Sequence, residues 1–233
     1  MSGRNSLRPG RDESRPYGSL MADIDFSLYL ITDRFAVPGG DLLAAVDRAL
    51  AGGLRAVQLR EKDLPDAEFL PLAERMRALT ARHGARLLIN RRLEIALAVA
   101  ADGVHLGAEP EAVATARDRL GPDRLIGVST HAPEEAVAAA EAGADFVTFG
   151  PVWFTPSKAP FGAPVGLDTL RRACAASPLP VLALGGVTPT RCRELLASGA
   201  DGAACVGAIL AQDSPAKAVR TFLSELPRPL RSL

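Results

Sequence analysis

In "VQLREKDL", Val57 to Leu64, the residues Gln58, Arg60 and Lys62 recur with a period of two, so an extended segment carries all three on one face. Two cations on one face suit an anionic group, although solvation or pairing with Glu61 and Asp63 fits the spacing equally well. A second anion-directed pattern lies in "LALGGVTPTR", Leu182 to Arg191, and "CVGAIL", Cys205 to Leu210, where Gly185, Gly186 and the Val206–Gly207 step fall between an apolar run and a helical one. Glycine lets backbone N–H groups approach a phosphate, and a helix start adds partial positive charge. The plainer reading is a tight turn, but the pattern occurs twice. "GVSTHAPEEA" presents Ser129 and His131 just before a helix, where a histidine can move protons near neutral pH, or can merely cap or pack. "LINRRLEIAL" sets Asn90, Arg91 and Arg92 at a strand end, and "GVHLG" sets His105 in one. The Gly/Pro-rich "GPVWFTPSKAPFGAPVG", Gly150 to Gly166, holds Thr155 and Lys158 in a connection long enough to serve as a lid.

Positioning these residues requires an alternation that runs the length of the chain. Short apolar runs are each followed by an Ala/Leu/Glu/Arg segment with helical spacing, and eight such pairs can be counted. The expected strands are "SLYLIT" (27–32), "RAVQLR" (55–60), "RLLIN" (86–90), "GVHL" (103–106), "LIGVS" (125–129), "FVTFG" (146–150), "VLALG" (181–185) and "GAACV" (202–206). They are apolar without alternation, as parallel strands buried on both faces are. Eight βα units in about 200 residues favour an α/β fold of the closed (β/α)8 TIM-barrel type over a doubly wound sheet. In such a barrel chemistry gathers at the C-terminal strand ends, where Gln58, Arg60, Lys62, Asn90, Arg91, His105, Ser129, His131, Thr155, Lys158, Gly185 and Gly186 all fall. The joints "AADGVHLG", "EAGADFVTFG" and "SGADGAACVG" repeat one phrase, in which a small residue suits a left-handed helix cap. His83, on the second helix, reads as structural. The expected organisation is a polar tail over 1–25, one barrel over 26–227 and a short tail over 228–233.

Among the 233 residues, 27 Lys and Arg balance 27 Asp and Glu, so no basic field marks a nucleic-acid surface and any anion site must be local. No apolar run approaches the length of a membrane span. Three cysteines, Cys174, Cys192 and Cys205, lack metal-ligand spacing and read as core fillers of a cytoplasmic protein. The expected partners are small phosphorylated molecules, not nucleic acid or membrane; a homodimer is compatible with the pattern.

Taken in order, "LYLITD", "VQLREK", "LIN" with its following "R", "ALAVAADGVHLG", "IGVSTH", "GADFVTFGPVW", "SK" and "ALGGVTP" resemble the thiamine phosphate synthase/TenI superfamily over nearly all of 26–226. The resemblance implies a (β/α)8 barrel in which Gln58, Arg60, Lys62, Asn90 and Lys158 face a diphosphate or pyrimidine, while Ser129, Thr155, Gly185 and Gly186 line the pyrimidine and thiazole phosphate sites. Synthases of this superfamily join hydroxymethylpyrimidine diphosphate to thiazole phosphate with Mg²⁺, held by two aspartates. Here Arg91 and Pro110 stand in their places. Arginine reverses the local charge, so no protein metal site and no cofactor are expected, Mg²⁺ entering only with a working synthase. Glu109 or Glu111 could reach a metal from nearby, or Arg91 could act as the fixed cation itself. The TenI branch lacks the same aspartates, and its resemblance implies a metal-independent tautomerase of thiazole phosphate carboxylate with His131 as acid and base. On this reading the tautomerase leads, with His131 and Lys158 as catalytic residues. The synthase follows, and a non-catalytic thiazole or thiamine phosphate binder is the third alternative.

Overall fold

The computed structural model describes residues 24–155 and 163–227. Eight strands, β1 (Leu28–Ile31), β2 (Ala56–Leu59), β3 (Arg86–Asn90), β4 (Gly103–Leu106), β5 (Leu125–Thr130), β6 (Phe146–Phe149), β7 (Val181–Leu184) and β8 (Gly202–Cys205), follow one another around a closed barrel. Every neighbouring pair is parallel, and β8 returns to β1 through Tyr29 opposite Ala204. Outside it lie α1 (Leu42–Ala51), α2 (Asp66–Arg82), α3 (Leu93–Ala98), α4 (Pro110–Leu120), α5 (Pro133–Glu141), α6 (Gly166–Ala176), α7 (Cys192–Ala197), α8 (Gly207–Leu210) and α9 (Pro215–Glu225). The expected fold is therefore observed, with strand limits shifted by a residue where side chains at the ends leave the ladder.

The unbroken apolar runs are explained by two cores. Leu28, Leu30, Val57, Leu59, Leu87 and Ile89 face outward and pack under the helices. Tyr29, Ile31, Ala56, Leu88, Phe146, Leu182 and Ala204 face inward and fill the barrel. Removing one large aliphatic side chain from water contributes about 1.5–3 kcal/mol, so this two-sided burial dominates local propensity. Phe26 closes the lower end, with its ring centroid 5.6 Å from Tyr29 and 5.4 Å from Phe146. Ile24 packs on this cluster and Asp25 meets Arg86 at 3.3 Å, so both extend the barrel floor. Residues 1–23 and 228–233, expected as tails, lie outside the described residues.

The repeated Ala-Asp phrase has a second use at this lower end. Asp102 accepts the Leu87 amide at 2.8 Å, Asp145 the Ile126 amide at 2.6 Å and Asp201 the Val181 amide at 2.9 Å. Each aspartate thus ties the strand it precedes to its neighbour. Asp145 also takes Arg117 at 2.6 Å, with its own side chain fully buried. His83 caps α2 and bonds Asp47 at 2.8 Å, a structural role as expected. Cys174, Cys192 and Cys205 are buried, the latter two with pKa values pushed up mainly by burial.

Candidate active site at the barrel mouth

Above the aromatic floor the barrel interior turns polar. Gln58 Nε2 donates to the Tyr29 hydroxyl at 3.3 Å, and that hydroxyl lies 3.4 Å from His105 Nδ1. On its other side His105 Nε2 is 3.0 Å from Ser129 Oγ and 3.4 Å from Thr148 Oγ1. The ring is 1 % exposed, and burial, with a smaller push from Arg60, lowers its pKa to about 3. His105 is therefore a neutral imidazole one layer below the mouth. Since Tyr29 receives the Gln58 proton, its own goes to Nδ1; Nε2–H then donates to Ser129, whose hydroxyl proton is left to point upward. Gly127 makes this layer fit, because a Cβ there would lie 2.5 Å from both His105 Nδ1 and Phe146 Cζ.

Cations gather where β2 and β3 end. The half-buried Arg60 has no hydrogen-bond or ion-pair partner for its guanidinium among the described residues. Its pKa is lowered, first by burial and also by the Arg91 charge, against the pull of Asp33 and Glu61. A cleft of about 360 Å³ beside it is lined by Glu61, Lys62, Phe69, Asn90, Arg91 and Arg92. Arg92 is held locally, over the Phe69 ring at 4.0 Å and 3.2 Å from Asp66. Arg91 instead reaches Glu109 at 3.4 Å above Gly107. A groove of about 450 Å³ between α1 and α2 belongs to the outer helical layer and holds none of these residues.

Around the rim, Ser129 is half-buried and His131 exposed. The His131 amide donates to Glu135 at 2.6 Å, and its Nδ1 bonds the Gly150 carbonyl. A carbonyl only accepts, so Nδ1 carries a proton, and in the neutral tautomer of the ring the lone pair is on Nε2. Thr155 is half-buried beyond β6, whereas Lys158 lies outside the described residues. Opposite the cations, Gly185 and Gly186 turn at φ 93° and 65°, pressed against Pro151 and Trp153 of the β6 connection. The Gly186 and Val187 amides donate to no backbone carbonyl among the described residues. Val206 leads directly into α8, whose first amides, including that of Gly207, have no partner within the helix. Both the turn and the phosphate readings are thus physically compatible with the same backbone.

The donor set does not fit a Mg²⁺ site of the carboxylate type. Arg91 and Pro110 occupy the two positions that the resemblance assigns to metal aspartates, and Pro110 is the first residue of α4, where its fixed φ helps start the helix. Glu109 faces the Arg91 guanidinium at 3.4 Å, and no cluster of three or more His, Cys, Asp or Glu suited to a metal occurs among the described residues.

Several site residues were missed in the sequence. Glu61, 3 % exposed, accepts from Thr32 Oγ1 at 2.7 Å and the Arg34 amide at 3.1 Å, joining the β1 and β2 loops. Tyr29 and Thr148 complete the His105 network. Inward positions two residues apart on their strands were the available signal; the partners come from other strands.

Comparison with known proteins follows the same outline. A family profile described as thiamine monophosphate synthase matches residues 28–209. A Geobacter sulfurreducens protein provisionally assigned as a thiamine-phosphate synthase is 56 % identical over 207 residues, covering 89 % of this chain and 97 % of that one. The thiamine-phosphate synthase of Clostridium novyi is 40 % identical, covering 86 % and 98 %. Among solved structures, a thiamine phosphate pyrophosphorylase from Pyrococcus furiosus superposes with a TM-score of 0.76 at 34 % identity, covering 85 % and 94 %.

Proposed function

This chain belongs to the thiamine monophosphate synthase family of thiamine-biosynthesis enzymes, and from that premise we propose that it is the transferase joining hydroxymethylpyrimidine diphosphate to thiazole phosphate. The names of its relatives favour this reaction over the tautomerase expected from the missing aspartates. The observation that carries the reading is the placement of two anion-directed features on opposite walls of one mouth. Arg60, Lys62 and Arg91 lie at the ends of β2 and β3; Gly185, Gly186 and Gly207 lie at those of β7 and β8. In an eight-stranded closed barrel, β3 faces β7. One wall suits the leaving diphosphate and the other the thiazole phosphate.

In the reaction, the bond between the pyrimidine methylene carbon and the diphosphate oxygen breaks, its electron pair departs with diphosphate, and the carbon bonds to the thiazole. Charge therefore develops on the leaving group, where cations fixed in advance act most strongly. The neutral His105 orients the Ser129 hydroxyl as a donor to the pyrimidine. Phe35 and Phe154, 76 % and 67 % exposed on the loops after β1 and β6, offer apolar faces for flat rings. Lys158, outside the described residues, is proposed from the family resemblance as a further cation for the diphosphate. We place the enzyme in the cytoplasm, in keeping with its sparse cysteine usage. Among the described residues no helix is long and apolar enough to cross a membrane.

Lys158→Ala tests this assignment: diphosphate release from the two substrates should fall by at least about 100-fold, the scale of losing a fixed transition-state charge partner. Unchanged release would remove Lys158 from the mechanism. One observation favours the tautomerase as a second reading, namely the His131 tautomer that leaves Nε2 as a base. Under that reading, thiazole phosphate carboxylate alone should aromatise in EDTA and fail to do so with His131→Ala. Binding of thiazole phosphate without either reaction would indicate a binding protein.

A further inference from the structure

Four carboxylates on the β2–β4 side of the mouth are each paired with an arginine. Glu61 is held by Thr32 at 2.7 Å and by Arg34, which also binds Asp63. Asp66 meets Arg92 at 3.2 Å, and Glu109 meets Arg91 at 3.4 Å. Asp33 caps the turn after β1 and Glu111 lies exposed in the first turn of α4, neither in an ion pair among the described residues, and Arg60, drawn by Asp33 and Glu61, has no hydrogen-bond or ion-pair partner for its guanidinium among them. The β2–β3 side of the mouth thus keeps one guanidinium, that of Arg60, unengaged in a chain whose total charge is zero.

Arg91 is also held in an unusual backbone state. Its φ is 61°, and Ala100 is the other residue besides glycine with a positive φ among those described. The left-handed conformation costs an arginine about 1–2 kcal/mol. It is fixed by the Arg91 amide donating to the His105 carbonyl at 3.0 Å and the Arg92 amide to the Asn90 carbonyl at 2.7 Å. The result is an arginine delivered over Gly107, where a Cβ would lie 2.6 Å from its Nη2. Its pair with Glu109 is weak, because the two side chains are 60 % and 58 % exposed. A diphosphate offers a guanidinium shorter, two-point hydrogen bonds and greater charge.

We propose that this chain balances the charge of the departing diphosphate with its own guanidinium groups, Arg91 and Arg60, in place of a protein-held divalent cation, Glu109 parking Arg91 at the mouth until the anion takes it over. This deepens the transferase reading and rests on it. No proton or electron is required beyond the bond exchange already described, since the cations stabilise the leaving group without changing covalently.

Titration of inorganic pyrophosphate into the full-length protein in EDTA tests the proposal without turnover. Wild type should bind. Arg91→Asn, a neutral residue at ease with positive φ, should weaken binding about tenfold or more. Glu109→Gln should tighten it by up to about fivefold by releasing Arg91. Thermal melting confirms that each variant is folded, and Glu109→Gln keeps the test informative should Arg91→Asn be unstable. Pyrophosphate binding that needs Mg²⁺, is indifferent to Arg91→Asn, or is weakened by Glu109→Gln overturns the proposal, the last marking Glu109 as a ligand instead. Arg91-dependent binding without turnover on both substrates would remove the transferase reading alone. Turnover with pyrophosphate binding indifferent to Arg91 would remove this inference alone.

Discussion

Gly185 holds φ at 93°, and a Cβ added to it would lie 2.5 Å from that of Pro151, so its side chain is excluded twice over. Gly185→Ala should cost about 2–4 kcal/mol, combining left-handed strain with overpacking, and weaken thiazole phosphate binding. Urea unfolding and phosphate titration check both; a stable, binding-competent variant would show the turn to be tolerant. At His105 the consequence is a pH dependence. Its folded pKa is lowered to about 3 by burial, then by Arg60, whereas an unfolded histidine titrates near 6.5. Between those values the unfolded chain binds the extra proton, so this contribution is intact above about pH 6.5 and is lost as pH falls toward 3, by at most about tenfold in the folding constant per unit. His105→Gln, compared with wild type by denaturant midpoint near pH 7 and pH 5, should lose that part of the slope; identical pH dependence would contradict it. Sequence placed both residues at strand ends. It could not show their surroundings, since Pro151 and Phe146 reach them from other strands.

Elements were the most legible level. β3 and β4 have the limits read from the sequence, and β1 and β2 lose only end residues, because a two-faced apolar run bounded by a helix leaves little freedom. The aspartates of the Ala-Asp phrase were legible as a pattern and not as a function. Their work is at the lower rim, where Asp145 takes the Ile126 amide and the Arg117 guanidinium. Asp145→Ala should therefore cost about 1–3 kcal/mol in unfolding free energy, since it leaves the buried Ile126 amide without its acceptor while Arg117 keeps the Gly121, Arg124 and Gly143 carbonyls. Asp102, with 18 % of its side chain exposed, should cost less. Equal, small losses at both positions in urea titrations would show that the ties are incidental. Glu61 escaped notice as a site residue because a carboxylate in "REKD" reads as solvated until Thr32 and Arg34 fold over it.

For the whole molecule, closure of the barrel converts a linear list of polar residues into two opposed walls. On the proposed transferase reading, the two walls are the places for its two phosphorylated substrates. The family resemblance carried the residues, but the departure at Arg91 points by itself toward loss of transferase chemistry; the names of the relatives favour the transferase, and the unpartnered Arg60 suits the guanidinium substitute proposed above. The most direct measurement is the yield of thiamine phosphate and diphosphate when purified protein is given both substrates, each alone, and both in EDTA. The account predicts the two products in equal amounts, only with both substrates present, and continuing in EDTA. A folded protein that binds both substrates yet yields no thiamine phosphate, with or without Mg²⁺, would contradict it.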